Sequence, residues 1–286
     1  MVSNIQILGV LGAGQMGGGI AQVAAQTGFK VHLADISREA ADKGKAKIAG
    51  QLKKQVEKGK LTEAEAQTIL GQIETVDGIA GLNRAHFVIE AVTENPELKF
   101  KIFRQLDEAC LPEAILATNT SSISITQIAA QTRRPEKVAG MHFMNPVPVM
   151  KLIEGIRGLQ TSDEVFKTVR AVSEKMGKTF VEVRDIPGFA VNRILMPMIN
   201  EAIFALYEGI ASVEDIDVSM QLGTNHPMGP LKLADFIGLD TVLAVIEVMH
   251  RGLGDPKYRP CPLLRQYVAA GWLGKKSGRG FYRYDV

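Results

Sequence analysis

Apolar positions recur along this chain in two rhythms, and the rhythm changes near residues 184–188. Upstream, short apolar runs of strand length alternate with stretches of helical period; downstream, every pattern is helical. The run IQILGVL at 5–11 predicts a first strand that feeds into Gly12, and helix formers at 21–25 precede Gly28, which stops that helix. Val31, Leu33 and Ala34 make a second buried strand closing at Asp35. Residues 37–71 are rich in Ala, Lys, Gln and Glu, and they read as a helical hairpin turning at Lys58, Gly59 and Lys60. Ser37 and Thr62 are its N-caps, with Glu65 completing a capping box.

Strand signals return in IETV at 73–76, AHFVIEAV at 85–92, AILATNT at 114–120 and KVAGMHF at 137–143. Asn95-Pro96 opens one intervening helix and SISITQIAA at 122–130 supplies another. KLIE at 151–154, a helix over 162–176 and the strand TFVEV at 179–183 complete this half. Strands alternating with helices predict a mostly parallel sheet over residues 1–185. The helical patterns at 192–209, at 214–223 behind a Ser212–Asp215 capping box, and at 239–252 predict an all-α domain over 186–286.

Composition narrows the function classes. With 46% hydrophobic and 22% charged residues, the 286-residue chain is globular in character. A net charge of +2 gives no electrostatic basis for nucleic-acid binding. Residues 5–29 carry no charge, but no Lys or Arg precedes them and their middle is GAGQMGGG, a poor lipid-facing helix; a membrane partner is not expected. Cys110 and Cys261 lack C-x-x-C spacing, so a reducing cytoplasm is the simplest location. His32, His86, His226 and His250 show no metal-ligand spacing, and no metal is expected.

Gly12, Gly14 and Gly17 form G-x-G-x-x-G between a strand and a helix, and Asp35 stands 23 positions beyond Gly12 at the end of the next strand. Glycines there permit a tight turn and close backbone approach to a pyrophosphate at a helix N-terminus. Asp35 would bind the ribose hydroxyls and repel a phosphate, which favours NAD over NADP. The fold expectation is therefore α/β: a Rossmann-type sheet with a helical-hairpin insertion, followed by the all-α domain. The alternative is a glycine-rich packing turn with a solvent-facing Asp.

HFMNPVPVMKLIE at 142–154 supplies candidate chemistry. Asn145, Pro146 and Pro148 interrupt two apolar runs, and a turn centred on Pro148 sets His142 directly across from Glu154. A carboxylate on one imidazole nitrogen leaves the other for proton transfer. A structural His and a surface Glu flanking a loop are the alternative. NTSS at 119–122 follows a strand, where its hydroxyls either orient a substrate oxygen or cap the next helix. Asn192 lies early in a helix, and its amide either meets a ligand or satisfies backbone groups.

Taken together, LGAGQMGGGIA, IEAVTENPELK, ATNTSS, GMHFMNPVPVMKLIE, DIPGFAVNR and GWLGKKSGRGFYRY resemble the 3-hydroxyacyl-CoA dehydrogenases over the whole chain, most closely the short bacterial members acting on 3-hydroxybutyryl-CoA. The resemblance implies an NAD-dependent oxidoreductase with a catalytic set of Ser121, His142, Glu154 and Asn192. It also implies NAD contacts from Gly12, Gly14, Gln15, Met16, Gly17, Asp35, Glu94, Lys99, Ser121, Asn145 and Lys276. Ser121 and Asn192 would hold the acyl-CoA substrate, and Lys54 and Lys58 of the helical insertion would meet its CoA phosphates. A homodimer through the helical domain is expected, in keeping with apolar residues such as Met198, Phe204 and Leu243 there. Other readings are a dehydrogenase of free 3-hydroxy or sugar acids, like the gulonate dehydrogenases, and a non-catalytic NAD(H)-binding module.

Replacing Asp35 by Gly is expected to raise the rate with NADPH relative to NADH, measured as a ratio of kcat/KM values. An unchanged ratio removes the ribose role assigned to this acid.

Overall fold

The computed structural model describes residues 5–285, in two units that divide between Ile186 and Pro187. The first contains strands β1 (Ile7–Leu11), β2 (Lys30–Asp35), β3 (Ile73–Asp77), β4 (Phe87–Glu90), β5 (Ile115–Thr118), β6 (Val138–Phe143), β7 (Leu152–Arg157) and β8 (Thr179–Arg184). Its helices are α1 (Gln15–Gln26), α2 (Arg38–Glu57), α3 (Glu63–Gly71), α4 (Pro96–Ala109), α5 (Ile125–Ala129) and α6 (Asp163–Lys175). The strands form one sheet in the order β3-β2-β1-β4-β5-β6-β7-β8. From β3 to β6 neighbouring strands are parallel; β7 is antiparallel to β6, and β8 is parallel to β7.

Burial explains which runs became strands. Every residue of β4 and β6 is buried, as expected of strands covered on both faces by helices. β8, at the edge of the sheet, is largely exposed. The helical hairpin forms as the caps predict: Ser37 accepts from the Ala40 amide, and Thr62 and Glu65 make a complete capping box. Gly59, at φ +67°, turns the chain between α2 and α3.

Two boundaries differ from the periodic reading. Helix α1 starts at Gln15, ahead of the helix formers at 21–25, and so includes three successive glycines. Glycine is a poor helix former, yet a Cβ at Gly17 would lie 1.7 Å from the Gly12 carbonyl oxygen, so close packing overrides propensity. Strand β4 stops at Glu90, before residue 92, because the Glu90 carboxylate accepts the Val92 amide at 2.7 Å and bends the chain out of the ladder.

The second unit is helical: α7 (Val191–Tyr207), α8 (Val213–Thr224), α9 (Pro230–Ile237), α10 (Leu239–Leu253) and α11 (Pro262–Ala269). Met196, Ile199, Leu231, Val242, Ile246 and Leu264 lie in its core. Helices α9 and α11 escape the periodicity reading because each is only eight residues long; a proline in the first turn opens both. At α8, Ser212 accepts the Asp215 amide, while the Asp215 carboxylate takes the Ser212 hydroxyl. Asp217 accepts from the Leu231 and Lys232 amides and the Tyr282 hydroxyl. Asp235 accepts from the Phe281 and Tyr282 amides and the Tyr284 hydroxyl. Burial, with the Asp217 charge nearby, raises the Asp235 carboxyl above its ordinary range despite those bonds.

Helix α2 contains two glycines with opposite surroundings. A Cβ at Gly44 would lie 2.7 Å from the Ala13 carbonyl oxygen, whereas one at Gly50 would meet nothing within 4 Å among the described residues. Gly50→Ala is expected to stabilise the protein by about 0.5–1 kcal/mol in urea denaturation. Gly44→Ala is expected to destabilise it by about 1–3 kcal/mol. Equal effects at the two positions contradict this packing.

Candidate active site

The residues singled out in the first unit gather at one edge of the sheet. Strand order reverses between β1 and β4, and the crevice at the carboxyl ends of strands beside such a reversal is where open α/β sheets bind ligands. The glycine turn follows β1, Asp35 ends β2, Glu94 follows β4, and Ser121 follows β5. His142 lies near the end of β6, and Glu154 near the start of the antiparallel β7.

The glycine turn is shaped for an anionic group. Gly12 has φ +101°, and a Cβ there would stand 2.7 Å from the Ala91 carbonyl oxygen. Gly14, the N-cap of α1, is exposed and makes no side-chain cap bond, so the first-turn amides are not capped by that residue. Gln15 is exposed, Met16 half-buried and Gly17 buried. Asp35 accepts the Ala13 amide at 2.6 Å with one carboxylate oxygen and the Ile36 amide at 2.7 Å with the other. Beside it lies a cavity of about 660 Å³ lined by Asp35, Ile36, Ile79, Val92, Leu98 and Ile102 among others. A capless glycine turn, an acid at the next strand end and an apolar cavity beyond it fit a dinucleotide with an adenosine end.

A buried ionic network stiffens the floor of this edge. Lys99 donates to Glu90 at 2.6 Å, with both side chains at 1% exposure or less. Glu90 also accepts the Thr118 hydroxyl at 2.7 Å. Lys99 lies 3.6 Å from Glu94 as well. Glu94 gathers the Thr120 hydroxyl and the amides and hydroxyls of Ser121 and Ser122, at 2.6–3.1 Å. Burial works to raise the Glu94 pKa, but the Lys99 charge and these hydrogen bonds outweigh it and hold the carboxyl below its usual range. The Ser and Thr groups of NTSS therefore fold onto Glu94, and the next helix is capped elsewhere. Ser124 is its N-cap, and Asp185 takes the Ser124 hydroxyl and the Ile125 and Thr126 amides.

The ladder between β6 and β7 sets His142 opposite Glu154. Nδ1 of His142 lies 2.7 Å from Oε2 of Glu154, with side-chain exposures of 10% and 1%. The connecting turn is tied to its surroundings at both ends. Asn119 accepts the Phe143 amide at 2.9 Å, and Gln15 donates to Asn145 at 3.1 Å. The exposed Asn145 precedes Pro146 through a cis peptide bond.

Four further predicted residues complete the set. Lys54 and Lys58 are exposed at the end of α2. In the second unit, Asn192 is buried in the first turn of α7, and Lys276 pairs with Asp240 at 2.6 Å. Sequence reasoning missed Glu90 and Thr118. A carboxylate inside an apolar strand, nine positions before a buried Lys, was the available signal for the Glu90–Lys99 pair.

Comparison with known proteins covers both halves of the chain. Residues 7–186 match the family model described as the 3-hydroxyacyl-CoA dehydrogenase NAD binding domain. Residues 188–284 match that of the 3-hydroxyacyl-CoA dehydrogenase C-terminal domain. A probable 3-hydroxybutyryl-CoA dehydrogenase of Bacillus subtilis is 59% identical, over 99% of this chain and 98% of that protein. A 3-hydroxybutyryl-CoA dehydrogenase of Bradyrhizobium diazoefficiens is 53% identical, over 99% of this chain and 97% of its own length. The crystal structure of (S)-3-hydroxybutyryl-CoA dehydrogenase from Ralstonia eutropha has a TM-score of 0.96 at 53% identity, covering 99% of this chain and 100% of that one.

Proposed function

This chain belongs to the 3-hydroxyacyl-CoA dehydrogenase family, and on that premise we propose that it interconverts short-chain (S)-3-hydroxyacyl-CoA and 3-oxoacyl-CoA with NAD, its preferred pair being 3-hydroxybutyryl-CoA and acetoacetyl-CoA. The observation that carries this reading is the buried His142–Glu154 pair, at the edge of the sheet that also holds the glycine turn and Ser121.

When bound, NAD supplies the hydride acceptor for the alcohol carbon. The protein must then take the hydroxyl proton in oxidation and return one in reduction. Glu154 holds a proton on His142 Nδ1, which makes Nε2 the basic nitrogen, and its charge stabilises the imidazolium formed after proton transfer. Ser121 and Asn192 orient the substrate oxygens and disfavour unproductive poses. The turn at Gly12, Gly14, Gln15, Met16 and Gly17 receives the pyrophosphate, while Asp35 holds the adenosine ribose. Glu94, Asn145 and Lys276 are further cofactor contacts in this reading. Lys99, which is buried, serves the cofactor by fixing Glu94.

Lys54 and Lys58 extend from the insertion as cationic contacts for CoA phosphates. The second unit exposes Ile194, Tyr207, Ile210, Leu222 and Phe236, an amount of apolar surface that supports a homodimer through these helices. Among the described residues no helix is long and apolar enough to cross a membrane. Cys110 and Cys261 are free and buried, in keeping with a reducing, cytoplasmic setting, and burial pushes the Cys110 thiol up to about 11, which leaves it unreactive.

His142→Gln and Glu154→Gln are each expected to lower turnover of acetoacetyl-CoA at least about 100-fold while leaving NADH binding largely intact. Wild-type turnover in either removes the acid–base assignment, and equal rates with free acetoacetate favour a dehydrogenase of free acids. Replacing Lys54 and Lys58 together by Ala is expected to raise KM for acetoacetyl-CoA about tenfold, and KM for the pantetheine thioester hardly at all. An equal change for both substrates leaves the two lysines without a phosphate role.

A further inference from the structure

We propose that Lys178 is a positioning residue, whose buried ammonium clamps the 144–151 turn against the cofactor-binding helix and so holds His142, Glu154 and Asn145 in reacting geometry. The inference rests on His142 and Glu154 being the acid–base pair.

The chemistry of the turn creates a need for such a donor. Pro146 and Pro148 have no amide hydrogen, so the turn has few donors of its own for its carbonyl groups. Val149 and Met150 both direct their amides to the Pro146 carbonyl. The carbonyls of Val147 and Met150 are met from outside the turn: Lys178 Nζ donates to them at 2.5 and 2.8 Å. Lys178 is 8% exposed, and among the described residues it forms no ion pair. An ammonium is costly to bury, and here its partners are neutral carbonyls, so its effect falls on the backbone of the turn. The next residue, Thr179, extends the anchor by donating its amide to the Lys151 carbonyl at 2.7 Å.

A contact from another element confines the same segment. Val147 is 2% exposed, and a Cβ added at Gly19 of α1 would lie 2.9 Å from the Val147 Cβ. Two positions beyond Gly17, the helix therefore approaches the turn as closely as a glycine allows. Gln15, on the same helix, donates to Asn145. The turn is thus held by a lysine immediately before β8 and by the helix that opens the cofactor site. Its two ends continue into the strands that bear His142 and Glu154.

The test uses the full-length enzyme with NADH and acetoacetyl-CoA, comparing Lys178→Met, Lys178→Arg, Gly19→Ala and His142→Gln. In the folded Lys178→Met protein, kcat is expected to fall about 10- to 100-fold while KM for acetoacetyl-CoA changes less than about threefold. Arg, which keeps the charge and its donors, is expected to restore part of kcat. Gly19→Ala, which pushes Val147 from the helix side, is expected to lower kcat and weaken NADH binding. A kcat within about twofold of wild type in folded Lys178→Met overturns the proposal. So does a loss that matches the unfolded fraction seen by circular dichroism. Should Lys178→Met fail to fold, wild-type kcat in Gly19→Ala overturns it instead. Activity retained in His142→Gln refutes the acid–base assignment; activity lost there but kept in the Lys178 and Gly19 variants refutes the clamp alone.

Discussion

The register between β6 and β7 is the constraint on which the site depends. Side chains alternate faces along a strand, so a slip of one residue would put Glu154 on the opposite face from His142. The apolar residues around the pair resist such a slip. Met141 and Phe143 flank His142, Ile153 precedes Glu154, and all three are buried in the main core. Hydrophobic burial thereby holds a polar pair at 2.7 Å, and the pair need not supply the energy for its own alignment. Gly155 allows the arrangement: a Cβ there would lie 1.9 Å from the ring of Phe180 on β8.

The same edge contains a second buried polar arrangement with a different use. Glu90 and Lys99 neutralise each other away from solvent, and the bonds from Thr118 and the Val92 amide occupy the rest of the Glu90 carboxylate. A charge pair so fully satisfied is rigid, and removing either member would strand the other. Glu94 is one step outward and one-third exposed. It gathers Thr120, Ser121 and Ser122, so the Ser121 hydroxyl stands on a support that ends in the buried pair. Rigid support of this kind is what positioning a reacting group to a fraction of an ångström demands.

Much of this was legible in the sequence because local chemistry dictated it. The prolines at 146 and 148 exclude a continued ladder, and the apolar runs on either side have little choice but to pair around them. Thr62 with Glu65 specified a helix start for the same local reason. What escaped depends on contacts distant in sequence. Propensity argues against a helix through Gly17, Gly18 and Gly19, and packing of the glycine turn and Val147 decides in its favour. Glu90 gains its charge partner only because α4 brings Lys99 to it. Lys178 acts on carbonyl groups, which all residues share, so no residue type in the turn announces its partner.

The order of the strands also makes the sheet a ruler. Between β2, which ends at Asp35, and β6, which carries His142, lie β1, β4 and β5. Four interstrand steps of about 4.8 Å separate the acid from the imidazole by about 19 Å across the sheet. In the proposed reading, a single nucleotide anchored at Asp35 would be too short to bring a reacting ring to His142. An extended dinucleotide lying across the carboxyl ends of the strands would have the required span. In that reading, the number of strands between the two residues matches the length of a dinucleotide carrier.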